Sequence, residues 1–143
     1  MNLKFALAVN NDNQFEKKHF GDADKYLIYQ QESGKIVFLS EEVNSFKMMD
    51  EEIAHGSKRK GNAIIDLLKS KEVNVLVSRQ FGKNIKLVNE YFIPVVVISE
   101  QQDEVIQILN RHIHWIEDEW RKNTSNFKRF TIKSGILKSP IEK

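Results

Sequence analysis

Residues 3–9, LKFALAV, form an apolar run broken only by Lys4, the pattern of a strand covered on both faces. The turn formers NNDNQ follow. KYLIYQQ and KIVFLSEEV then flank Glu32-Ser33-Gly34, which predicts a hairpin with Gly34 supplying a positive φ. Further on the period lengthens. Residues 60–71 set Ile64, Leu67 and Leu68 at helical spacing behind a Gly61-Asn62 start. VNVLVS predicts a short buried strand, and GKNIKLVNEYF a helix with Ile85, Val88 and Phe92 on one side. PVVVIS, opened by Pro94, predicts another buried strand. QDEVIQILNRHIHWIEDEW is the longest helix expected, striped by Val105, Leu109, Ile113, Ile116 and Trp120. Its first turn carries Asp103 and Glu104, where the helix dipole favours acids.

The order βββαβαβα predicts an α/β fold, a mixed five-stranded sheet of ribonuclease-H-like layout with helices on its faces. No repeat or linker interrupts residues 1–122, which read as one domain. Residues 123–143 read as a basic C-terminal extension, in which FKRFTIK can add an edge strand. In such a sheet the first and fourth strands are parallel neighbours, and a crevice opens beyond their carboxyl ends. The loops expected to line it are residues 10–21, 55–62 and 78–82.

Composition changes this picture in a few places. The chain has 143 residues, enough for one domain with a real core. No run nears the roughly 18 apolar residues of a membrane helix. The MNLK start lacks a secretory apolar core, so the cytoplasm is the expected location. Residues 121–143 carry seven Lys or Arg against the single acid Glu142, whereas residues 1–120 carry 15 basic and 19 acidic residues. A basic tail of this kind is a lysine-protected edge strand or a surface for an acidic partner. Nucleic acid is not expected, because the tail lacks the interleaved aromatics of a stacking platform.

Cysteine is absent, which removes disulfides, thiol nucleophiles and thiolate ligands of this chain's own. Imidazole, carboxylate and weaker donors remain for a metal. His112 and His114 do not make a chelating pair, since residues two apart on a helix diverge by about 200°. His114 is expected to pair with Asp118, and His112 to pack beside the apolar stripe. Ribonuclease-H-type chemistry needs clustered carboxylates, one of them on the first strand. LKFALAV has none, and Asp12, Asp22, Asp24 and Asp66 are dispersed. No nucleophile elbow is present either. Binding rather than catalysis is therefore expected.

Three stretches at the crevice carry candidate chemistry. HGSKRKGNAI places Gly56, Gly61 and four consecutive residues Ser57, Lys58, Arg59 and Lys60 before a helix, an anion-attracting or solvated basic loop. Asn62-Ala63 stands where a nucleotide-hydrolysing phosphate loop requires Lys-Ser/Thr, so that reading fails. SRQFGKN joins a strand to a helix, with Gly82 closing the turn and Arg79 as a forked donor for oxyanions. HFGDADKYLIYQ sets an imidazole, an aromatic and a glycine before an amphipathic strand.

LKFALAVNN, HFGDADKYLIYQ and HGSKRKGNAIIDLLKSKEVNVLVSRQFGKN, in that order, resemble the dinitrogenase iron–molybdenum cofactor biosynthesis family over about residues 3–98. The resemblance implies a ribonuclease-H-like fold and non-catalytic binding of an iron–sulfur or iron–molybdenum cluster or its precursor. It makes His19, with Phe20 and Gly21, one wall of the pocket, and His19 a metal ligand or a donor to a bridging sulfide. Gly61 and Gly82 would bring backbone amides to the cluster, and Arg79 would offset its charge. His55 and Asn62 complete the cofactor-binding set. The implied partner is a cluster donor or acceptor protein. The alternative is a protein-interaction or regulatory module of the same fold that binds no metal and forms a homodimer through the C-terminal segment FKRFTIKSGI, by strand addition. The chain departs from the family pattern in the bulk of Arg79, Gln80 and Phe81 and in the basic SKRKGN.

Overall fold

The apolar run forms β1 (Lys4–Val9), buried beyond its first residue because it is paired on both sides. β2 (Lys25–Glu32) lies antiparallel to it and β4 (Val75–Ser78) parallel. The computed structural model describes residues 2–48 and 59–140. β2 turns back into β3 (Lys35–Val43) through Ser33 and Gly34, at φ of 50° and 81°, the left-handed pair that a tight hairpin needs. β5 (Ile93–Val97) continues the sheet parallel to β4.

The expected five-stranded sheet is in fact seven-stranded, ordered β3-β2-β1-β4-β5-β6-β7. β6 (Phe130–Lys133) joins β5 in parallel and β7 (Ile136–Lys138) returns antiparallel. The added strands belong to the sheet for a physical reason: Phe130, Ile132 and Leu137 are buried in the same apolar cluster as Val95 and Val97 of β5. Their turn, Ser134-Gly135, repeats the left-handed pair of the first hairpin.

Helices cover both faces. α1 (Arg59–Ser70) and the short α2 (Ile85–Val88) close one face, where Ile64, Ile65, Leu68 and Val88 pack with Ala6, Ala8, Tyr26 and Phe20. α3 (Gln102–Arg111) and α4 (Ile113–Lys122) close the other through Val105, Leu109 and Ile116 against Phe5, Leu7 and Val95. The single long helix expected over residues 102–120 breaks at His112, which leaves helical geometry with ψ of 25° and stacks on Trp115 at 4.9 Å. The helix expected over residues 82–92 shortens to one turn after Gly82, because Phe92 is drawn into the core at the entrance to β5. His114 pairs with Glu117 at 3.5 Å rather than with Asp118, which faces Arg121. No helix among the described residues is long and apolar enough to cross a membrane.

Candidate functional site

Because β1 and β4 are parallel, their carboxyl ends lie side by side and the chains leaving them form two walls. The first wall is residues 10–24. Asn10 Oδ1 accepts from the backbone N–H groups of Asp12 and Gln14, at 2.9 and 3.1 Å. The Glu16 N–H returns to the Ala8 carbonyl at 3.1 Å. One 3₁₀ turn, Phe20–Asp22, ends the wall. Its carbonyls are held by buried donors: Tyr26 Oη donates to Phe20 O at 2.8 Å, and Asn44 Nδ2 donates to Gly21 O and Ala23 O at 3.0 and 2.8 Å. Burial pushes the Tyr26 phenol far above its usual pKa, so it remains a donor.

The second wall, residues 79–84, is tied to the first. The Phe20 N–H donates to the Gln80 carbonyl at 3.0 Å, and Gln80 Nε2 donates to the Lys17 carbonyl at 2.8 Å. The buried rings of Phe20 and Phe81 meet at 5.8 Å.

His19 stands where the walls join, its side chain 37% exposed. Glycines flank the ring. A Cβ on Gly82 would lie 3.5 Å from His19 Cδ2, and one on Gly21 the same distance from Nδ1. Gly82 also holds φ of +60°, which disfavours any side chain there. His19 Nε2 lies 3.4 Å from Asp22 Oδ2. Asp22 Oδ1 accepts from Lys60 Nζ at 2.8 Å, and Lys60 is only 6% exposed. Partial burial alone would raise the Asp22 pKa. The hydrogen bond from Lys60, helped by the charges of His19, Lys60 and Lys18, outweighs burial and holds the carboxyl below its usual value. His19 Nδ1 is buried and has no hydrogen-bond partner.

The structure thus gathers His19, Phe20, Gly21 and Gly82 of the residues expected from sequence. Phe20 is fully buried and forms the floor under the turn. Gly61, in the first turn of α1, packs close to Asn84, whose Nδ2 would lie 3.1 Å from an added Cβ. Asn62 is exposed on the same helix. Arg79 Nη2 donates to the Ile98 carbonyl at 2.7 Å, and the residue lines a hollow with Lys17 and Gln80. His55 lies outside the described residues. Sequence reading left Asp22 among dispersed acids and Lys60 in a basic run. The three-residue spacing in HFGD was the available signal for Asp22, whereas nothing local singled out Lys60.

A hollow of about 530 Å³ opens at the other end of the sheet, between Lys4, Lys69, Tyr91 and Trp120. Its cations already have partners: Lys69 lies over the Tyr91 ring at 4.3 Å, and Lys4 Nζ donates to the Lys71 carbonyl. We place the site at His19, where a polar atom is left over. Among the described residues no three His, Cys, Asp or Glu side chains gather around a metal position. The residues at His19 offer one imidazole to a metal, with glycine rather than a side chain on either flank, and not a closed cage of side chains.

Comparison with known proteins gives one family. No curated protein matches the chain significantly. A family model described as dinitrogenase iron-molybdenum cofactor matches residues 1–112, which takes in both walls, β1 to β5 and the helices through α3. The chain belongs to the dinitrogenase iron–molybdenum cofactor family.

Proposed function

We propose that this chain is a non-catalytic cytoplasmic carrier in metallocofactor assembly. It takes up an anionic iron–sulfur or iron–molybdenum cluster, or a precursor, and exchanges it with a donor or acceptor protein. The observation that carries this reading is an imidazole with one unpartnered nitrogen, flanked by glycines, in a member of this family. His19 supplies a nitrogen ligand. Gly21 and Gly82 keep side chains off the two flanks of the ring, and Lys17, Lys18 and Arg79 lower the cost of negative charge at the mouth. A sequence with no cysteine offers a cluster few ligands, so the cargo keeps its sulfides and takes further ligands from the partner protein. The strands β3-β2-β1-β4-β5 serve as a ribonuclease-H-like scaffold that sets the two walls side by side.

Anaerobic reconstitution with iron, sulfide and molybdate, followed by metal analysis and visible absorption, tests the reading. Stoichiometric metal in the wild type and little in His19→Ala, at unchanged Tm, is the expected result. Absence of metal from both proteins would favour a second reading, an interaction module that binds no metal. That reading is favoured by the sheet edges: β3 exposes Val37, Phe38, Leu39 and Val43, and β7 exposes Ile136. A homodimer through the C-terminal hairpin, with β7 as the pairing strand, is its simplest form, and sedimentation across a concentration series would detect it.

A further inference from the structure

We propose that Asp22, anchored by Lys60, fixes the tautomer of His19, holding the hydrogen on Nε2 and leaving the bare lone pair on Nδ1. A neutral imidazole carries its hydrogen on one nitrogen, and the neighbour of each nitrogen decides which. Nε2 faces Asp22 Oδ2 at 3.4 Å. An ionised carboxylate only accepts, so this contact favours the hydrogen on Nε2. Asp22 is not free to turn away, because its other oxygen accepts from Lys60 Nζ at 2.8 Å and Lys60 is buried. The second nitrogen offers no competing partner. Nδ1 is buried with no acceptor in reach to receive a hydrogen, so nothing there opposes the preference set at Nε2. The contact at Nε2 therefore selects the tautomer.

The consequence for uptake rests on the carrier reading above, whereas the tautomer itself does not. Nδ1 faces the space that a side chain on Gly21 would fill, bounded by Lys60 Cε at 3.5 Å and Ile64 Cδ1 at 3.6 Å from that Cβ position. Gly82 leaves the other flank of the ring equally bare. Nδ1 is itself buried, so uptake requires the ring to pivot on its Asp22 contact, and glycine on both sides leaves that path free of side chains. A carboxylate on one nitrogen and a metal on the other is the arrangement that raises imidazole basicity and fixes its orientation. Asp22 and Lys60 are thus positioning residues that never touch the cargo.

Long-range ¹H–¹⁵N spectra of the metal-free protein, at about pH 8.5 and so well above the ordinary histidine range, read the tautomer directly. His19→Ala assigns the signal. The wild type is expected to show a pyrrole-type Nε2 and a pyridine-type Nδ1. In Asp22→Asn the side-chain amide can either donate to Nε2 or accept from it, so the Nδ1–H form should rise severalfold. Lys60→Met, which keeps the carboxylate but frees it, should give an intermediate ratio. Hydrogen on Nδ1 in the wild type, two protonated nitrogens at that pH, or a ratio unchanged in Asp22→Asn would overturn the proposal. The same variants are then reconstituted with iron and sulfide, where uptake should fall severalfold although His19 is present. If His19→Ala takes up as much metal as the wild type, the carrier reading fails while the tautomer result stands by itself.

Discussion

At the wall built from residues 10–24, Lys60 pairs with Asp22 and His19 keeps a buried nitrogen without a partner. At the wall built from residues 79–84, the Arg79 guanidinium donates to the Ile98 carbonyl and packs along the rim. Both walls rise from neighbouring parallel strands, and both carry cations. They differ in what is left over. A guanidinium with a backbone acceptor has a structural job already, whereas the His19 nitrogen is left unpaired, as are Asn13 Oδ1 and Asn89 Oδ1, and of these three it alone is an imidazole with a glycine on either side. Charge by itself would have ranked Arg79 with His19, and hydrogen-bond accounting separates them.

The comparison can be broken most severely at the joint between the walls. Phe20→Ala removes a fully buried ring that meets Phe81, and about 3–5 kcal/mol of stability should go with it. Urea unfolding measures this, and a loss under about 1 kcal/mol would mean that the walls are held by their backbone hydrogen bonds alone.

Lys60→Met comes next. It leaves Asp22, whose side chain is 26% exposed, without its ammonium partner, and a loss of about 1–2 kcal/mol near neutral pH is expected. The sign with pH is a sharper check. In the wild type the Asp22 carboxyl is held below its usual 3.8, so its contribution is present above that value and fades as pH falls through the lower folded value. Without Lys60 its hydrogen bond and its charge no longer hold the carboxyl down, so the downward shift and the acid-labile stability that comes with it shrink. Asp24 beside Lys47, and Glu100 accepting from the backbone of Gly135 and Ser99, keep the acid-labile sign in both proteins. Thermal melts between about pH 3 and 7 should show a shallower acid limb in Lys60→Met, and identical limbs would remove Asp22 from the account.

Gly82→Ala should cost about 1 kcal/mol, because φ of +60° is strained for any residue with a Cβ. The new methyl would also touch the His19 ring, so metal uptake should drop along with Tm. A drop in Tm alone would show that the ring does not need its open flank.

The smallest effect is expected on the other wall. Arg79→Gln should change stability by less than about 0.5 kcal/mol and leave most of the metal uptake intact. If it reduces uptake as far as His19→Ala, both walls bind the cargo and the contrast between them collapses.

Much of this molecule follows from sequence periodicity. The unbroken run of β1, the Ser33-Gly34 hairpin, the helical spacing of α1 and the Val-rich β5 are local signals, and each element forms where its pattern lies. His19 and Gly82 were visible as well, since an imidazole before a strand and a glycine after one are odd residues at odd places. The tertiary structure decided the rest. The break at His112 depends on how two helices fit one sheet face, and FTIK, expected as an edge strand, became the inner strand β6 because ILK pairs outside it as β7. Asp22 and Lys60 are 38 residues apart in sequence, and no local pattern joins them. They meet because parallel pairing of β1 with β4 brings the start of α1 over the 3₁₀ turn at Phe20–Asp22. Periodicity reports which face of an element is buried, but long-range packing chooses the partner of a charge.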